Sequence, residues 1–269
     1  MKALTNLQKH KDVIMKQLKT VPFNTLFAEN VVNQTVNGGI FVDNTEKPQA
    51  FYILHPYGMS LLLGENRDRF DRSLYEYILN PYGNRTKIEW MQAYPDDWHI
   101  LLKKMAEKHA KRHAPPIEID IRVNFRFNTD KYIESKQYYK DENIKILKTG
   151  TDDFENMTGS VIPKYFWNTP NDFINNGVGY SLYYQDSLAS IAFSSVVNNN
   201  YLELGIETHE NFRGKNLAYI VCSALLDYCL EKGLEPVWAC RKSNTASYRL
   251  AKKLGFEESS NIAYYKLNL

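Results

Sequence analysis

Residues 201–233 read YLELGIETHENFRGKNLAYIVCSALLDYCLEKG. The first eight, Tyr201 to Thr208, are rich in apolar and β-branched side chains and predict a strand. A polar loop follows, and from Asn216 apolar residues recur at helical spacing as far as Gly233, a residue suited to close a helix. The join is a short basic turn, Arg213-Gly214-Lys215. N–H groups at a helix start have no intrahelical partner and point outward along the axis. With the helix dipole they form a site for phosphate or pyrophosphate. Arg213 and Lys215 add positive charge, and Ala218 keeps the first helical turn slim. Such a turn by itself is more often only solvated, so its surroundings must decide.

Downstream, EPVWAC predicts a strand carrying Trp238, NTASYRLAKKLGF a helix ending at Gly255, and AYYKL a last strand. Upstream, VGYSLYYQ, SLASIAFSSVV and YLELGIET form a meander with turns at Gln185-Asp186 and Asn198-Asn199-Asn200. IKIL predicts a strand before short helices near 152–156 and after Asn168-Thr169-Pro170-Asn171.

The N-terminal part opens with an amphipathic helix over 4–19, carrying Leu4, Leu7, Val13, Ile14 and Leu18 and stopped by Pro22. A short helix is expected at Leu26 and Phe27. GIFVDN, QAFYILH and MSLLLGE predict an antiparallel meander, followed by a helix over 68–79 and a strand at KIEWMQA. DDWHILLKKMAEKH predicts a helix capped by Asp96 or Asp97, and IEIDIRVNFRFN a long half-exposed strand. Residues 39–105 and 177–254 share one order: three strands, helix, strand, helix. That order is either an internal duplication or a chance recurrence in an α+β chain. The boundary is placed within 130–145, giving domains 1–140 and 141–269.

Composition removes several classes. With 43% apolar and 13% aromatic residues, a disordered chain is excluded. Lys plus Arg number 33 against 31 acidic residues, a net charge of +2, which gives no support to nucleic-acid binding. No run reaches the roughly 18 apolar residues of a membrane span. The first twenty residues lack the apolar core of a signal peptide. Cys222, Cys229 and Cys240 make neither a disulfide framework nor metal spacing, and read as buried thiols. The expectation is a cytoplasmic protein, monomer or homodimer, with no metal, nucleic-acid or membrane partner.

Arg213 and Ala218, with Asn244 and the closing Leu254-Gly255-Phe256, resemble the GNAT superfamily of N-acyltransferases and its Arg/Gln-x-x-Gly-x-Gly/Ala turn. More narrowly, three stretches resemble the acetyltransferase family that includes the zwittermicin A self-resistance enzyme. They are Ile206-Glu207-Thr208, Trp238-Ala239-Cys240 and Ser247 to Phe256. The resemblance is specific over about 145–269. It implies a GNAT fold there, a mixed and largely antiparallel sheet flanked by helices, behind a divergent GNAT-like N-terminal half. It also implies acetyl transfer from acetyl-CoA to a primary amine of a small molecule through a tetrahedral intermediate.

By the same resemblance, the backbone of Ile206, Glu207 and Thr208 would hold the pantetheine arm and polarise the thioester. Arg213, Gly214, Lys215, Asn216, Leu217 and Ala218 would bind the pyrophosphate, and Asn244 the arm again, unless it only caps its helix. Two positions depart from the pattern. Asn216 replaces the first motif glycine; it tolerates left-handed backbone, yet its side chain is placed to crowd the phosphates. Ala251 stands where many members carry a tyrosine general acid, and Tyr248 faces elsewhere by about 60°. A thiol of pKa near 8.5 leaves without that acid. Glu203 is the first candidate base, Glu207 on the same strand face the second, and His209 the third. The competing readings are a catalytically silent acyl-CoA-binding or interaction protein and a protein or peptide N-acetyltransferase.

Overall fold

The chain divides into two units in a computed structural model that describes residues 1–65, 67–110, 115–198 and 200–269, with 67–71 in backbone alone. The first unit comprises Met1–Arg122, Arg241–Ser243 and Asn261–Leu269; the second comprises Val123–Cys240 and Asn244–Ser260. The cut expected at 140 therefore falls inside the second unit. The break comes at Arg122, within a continuous strand, where no turn or linker residue marks it.

In the first unit, β1 (Lys2–Ala3), α1 (Leu7–Leu18) and α2 (Leu26–Val32) precede β2 (Gly39–Val42), β3 (Ala50–Leu54) and β4 (Met59–Gly64). Then come α3 (Arg67–Leu79), β5 (Glu89–Tyr94), α4 (Asp97–His109) and β6 (Ile117–Phe127), which belongs here as far as Arg122. β2, β3 and β4 pair antiparallel, β4 and β5 parallel, and Tyr265–Leu267 of the last strand close on β5. Nearly every side chain of β3 and β4 is buried, because helices cover the sheet. α3 and α4 set Leu74, Ile78, Trp98 and Leu102 against Tyr52, Leu62 and Met91. α1 and α2 pack on β3 and β4 outside that cluster.

Helix α1 starts three residues later than its pattern suggests, because the backbone of Leu4 bonds to Ile40 at 2.8 Å and extends the β1 pairing. Its buried stripe is His10, Ile14 and Leu18, whereas Val13 is exposed. α2 runs on through Val31 and Val32, both buried. Asp96 occupies the N-cap of α4 without a side-chain cap bond.

His55, just after β3, gives the first unit a pH dependence. Its ring is buried, and Nδ1 accepts the Tyr57 N–H at 3.1 Å. Burial pushes its pKa down from 6.5 to about 4. The unfolded chain therefore takes up a proton near 6.5 that the folded chain accepts only near 4. Stability is full above that window and falls by about 3 kcal/mol as pH drops through it. Denaturant titrations at either end measure the loss, and His55→Gln should reduce it by that amount; an unchanged loss refutes the assignment.

In the second unit, α5 (Thr129–Ser135), β7 (Ile144–Lys148), α6 (Thr151–Asn156) and α7 (Pro170–Asn176) precede β8 (Gly179–Tyr184), β9 (Ser187–Val197) and β10 (Tyr201–Thr208). α8 (Leu217–Lys232), β11 (Glu235–Arg241), α9 (Thr245–Lys253) and β12 (Phe256–Leu267) complete the chain. β7 to β10 pair antiparallel in order, and β10 pairs parallel with β11. Gln185 and Asp186 take positive φ, 51° and 59°, as a tight hairpin requires. Asn199, in the other expected turn, lies outside the described residues. α8 packs on β8, β9 and β10 through Tyr219, Cys222, Leu226 and Cys229, and Gly233 closes it in left-handed conformation.

Two elements differ from expectation. α5 was not signalled, because Tyr132 is its only buried residue; Asn128 caps it by accepting the Lys131 N–H at 3.0 Å. β12 extends well beyond AYYKL, through the polar run EESSN that a hydrophobic pattern cannot mark. Among the described residues, no helix is long and apolar enough to cross a membrane.

Candidate active site

Both units carry three antiparallel strands, a helix, a parallel strand and a helix, yet their parallel pairs differ. In the first unit β4 and β5 stay in register over five positions, from Met59↔Trp90 to Leu63↔Tyr94. In the second, β10 and β11 pair only from Tyr201↔Glu235 to Glu203↔Val237. From Leu204 to Thr208, β9 lines one edge of β10, and no described strand lines the other. At the level where the strands part, β9 carries a bulge: the register skips Ser195, whose Oγ donates to the Glu203 carbonyl at 3.1 Å. A bulge adds local twist. An unpaired strand edge offers its N–H and C=O groups to an extended ligand.

The turn after β10 lies at the start of α8. Gly214 and Asn216 both have positive φ, 80° and 62°. Asn216 thus takes the left-handed backbone that its position requires. Its side chain does not cap α8, however, because it is committed elsewhere. Nδ2 donates to the Tyr139 hydroxyl at 2.6 Å, and Oδ1 accepts from Lys253 Nζ at 2.9 Å. Lys253 also lies 4.5 Å over the Tyr219 ring. Lys215 sits 5.3 Å over the Tyr184 ring. Arg213 is tied back to β10, its Nε donating to the Thr208 carbonyl at 3.1 Å. Arg213, Gly214 and Lys215 are exposed, Asn216 and Ala218 half-buried, and Leu217 anchors the helix in the core.

Glu203, Gly205 and Glu207 alternate on one face of β10, while Leu202 and Leu204 enter the core beneath α8. Glu203 is 6% exposed, at the last paired position. Glu207 is also buried, with both oxygens taken up in hydrogen bonds. Thr208 Oγ1 lies 2.7 Å from Ser190 Oγ, Ile206 is half-buried, and His209 Nδ1 stands 3.5 Å from Thr158 Oγ1. Asn244 is exposed and caps α9, its Oδ1 accepting the Ser247 N–H at 3.2 Å.

Ala251 is fully buried, and the Tyr248 hydroxyl donates to Glu258. Trp238 and the three cysteines are core residues; burial pushes the Cys222 thiol up and that of Cys229 to about 12. Among the described residues no three His, Cys, Asp or Glu side chains are grouped as metal ligands. Sequence reading missed Tyr139, Ser160, Val161 and Lys253. Only Lys253, beside Leu254-Gly255-Phe256, lay within a recognised motif.

The family model for GNAT acetyltransferase matches residues 16–265. A Bacillus subtilis (strain 168) protein described as an uncharacterized N-acetyltransferase, YdfB, is 24% identical over 268 residues, covering 98% of this chain and 99% of its own. A GCN5-related N-acetyltransferase-like protein from Streptococcus suis superposes with a TM-score of 0.72 at 18% identity, covering 97% of this chain and 100% of that one. A tandem GNAT protein from the clavulanic acid biosynthesis pathway gives 0.63 at 12% identity, covering 97% and 94%.

Proposed function

The chain belongs to the GNAT acetyltransferase family, and from that premise we propose that it transfers an acetyl group from acetyl-CoA to a primary amine of a small molecule. One observation carries the reading: β10 and β11 part after Glu203↔Val237, beside a basic turn that opens α8. The edge of β10 that no described strand lines, at Leu204 and Ile206, suits an extended pantetheine arm, while the N–H and carbonyl of Thr208 are held by Glu207 and Arg213. The uncapped first turn of α8 suits the pyrophosphate, with Lys215 and Arg213 adding charge. The Asn216 side chain, held by Tyr139 and Lys253, leaves the turn's backbone to do this. Acetyl-CoA would supply a thioester whose thiolate leaves without an acid.

The chain's own residues then have two tasks. Backbone N–H groups of β10 polarise the carbonyl. Glu203 accepts the amine proton, directly or through one water. Asn244, which caps α9, would meet the arm as well.

Acetyl-CoA at 100 times its Kd should stabilise the protein by about 2.7 kcal/mol, read as a rise in Tm. Arg213→Ala with Lys215→Ala should weaken binding roughly 10- to 150-fold and shrink that rise, since one or two charged hydrogen bonds are lost at about 1.5 kcal/mol each. Absence of any rise with acetyl-CoA or a longer acyl-CoA would sink the proposal.

A silent acyl-CoA binder is favoured by one observation, the buried Ala251 in place of a tyrosine acid. Release of free CoA across a broad amine panel separates the two readings, and binding without release supports the silent one.

A further inference from the structure

Glu207 looks like a second base by position alone, but its surroundings assign it different work. Oε2 accepts three donors: the Ser160 N–H at 2.7 Å, the Ser160 hydroxyl at 3.2 Å and the Val161 N–H at 3.0 Å. Oε1 accepts the Thr208 N–H at 3.2 Å and Arg213 Nη2 at 3.3 Å. An ionised carboxylate has about four lone-pair sites, so these donors leave none for an amine proton. The side chain is only 8% exposed.

The loop is shaped to meet this carboxylate. Gly159 has φ +147°, a conformation that L side chains rarely adopt, and a Cβ there would lie 2.4 Å from Glu207 Cγ. Glycine is therefore what lets the loop close onto Glu207. The same carboxylate reaches the phosphate-side turn through Arg213, whose Nε is already bonded to the Thr208 carbonyl. One buried group thus joins loop 159–161, the end of β10 and the basic turn.

We propose that Glu207 is a positioning residue: its carboxylate clamps loop 159–161 across the end of β10 and braces Arg213, fixing the acyl-CoA site from both sides. The proposal rests on the acetyl-CoA reading above. Glu203 keeps the base role proposed above.

The test combines Glu207→Gln, Gly159→Ala and the double variant. With acetyl-CoA as probe in calorimetry, each single variant should weaken binding about tenfold, and the double no more than the worse single, because both break one clamp. With the best acceptor from the amine panel, Glu207→Gln should raise KM for acetyl-CoA about tenfold, keep kcat within about threefold and retain the acid limb of the pH profile. A 100-fold loss in kcat together with loss of that limb overturns the proposal in favour of a base. Unchanged acetyl-CoA affinity in both variants overturns it in favour of a purely structural anchor.

Hydrogen exchange without any ligand reads the clamp separately. The Ser160 and Val161 amides should exchange at least tenfold faster in Glu207→Gln, and unchanged rates refute the clamp. Wild-type protein that fails to bind acetyl-CoA would instead refute the acetyl-CoA reading, while the exchange result still stands on its own.

Discussion

Glu203→Gln should lower kcat by about 100- to 10,000-fold while leaving acetyl-CoA affinity within about twofold. The amide keeps the size of the carboxylate but accepts no proton at neutral pH. At that pH a primary amine is largely protonated, so the attacking form must be generated in the site. The loss should therefore shrink as pH rises toward the amine's own pKa, where solvent supplies the free base. Glu203 is the last β10 residue paired with β11, at the mouth of the parting, and it is buried there. Steady-state kinetics between about pH 6 and 10 decide the matter. A kcat within threefold of wild type at neutral pH would remove Glu203 from the mechanism.

The second large effect belongs to the first unit. Trp98→Ala should cost about 3–5 kcal/mol, a large share of the roughly 5–15 kcal/mol that stabilises an ordinary domain. Trp98, on α4, is among the largest fully buried side chains and packs in one cluster with residues of α3 and the sheet. Its indole N–H donates to the Gly64 carbonyl at 2.7 Å, so truncation also orphans a buried acceptor, worth about 1–3 kcal/mol. Urea titration should show a lower midpoint at unchanged slope. Trp98→Phe, which fills most of the volume but makes no such bond, should fall between. A loss below about 1.5 kcal/mol for alanine would mean that the site collapses around the gap.

Much of the fold was legible because its signals are local. Pro22, Gly233, the Gln185-Asp186 turn and the switch from alternating to helical spacing each act within a few residues. The elements missed or misjudged have no such signal. α5 buries one side chain, β12 is polar through its middle, and Val13 is apolar but exposed. In the site, the strand, basic turn and helix could be read from Tyr201 to Gly233, and so could the left-handed backbone at Asn216.

What surrounds these residues could not be read. Glu207 meets Ser160 and Val161 across 47 and 46 residues, and Asn216 meets Tyr139 across 77 and Lys253 across 37. No periodicity links such partners. The sequence by itself determined which elements form, in what order, and where a helix start gathers backbone N–H groups and positive charge, because propensity, capping and turn chemistry are short-range. Tertiary structure alone decided that β10 and β11 part after Glu203 while β4 and β5 do not, that one unit borrows the chain's last residues, and that the Glu207 carboxylate is filled by donors from loop 159–161 and the basic turn. Those outcomes depend on pairing and packing between distant segments, whose geometry is set only when the whole chain has folded.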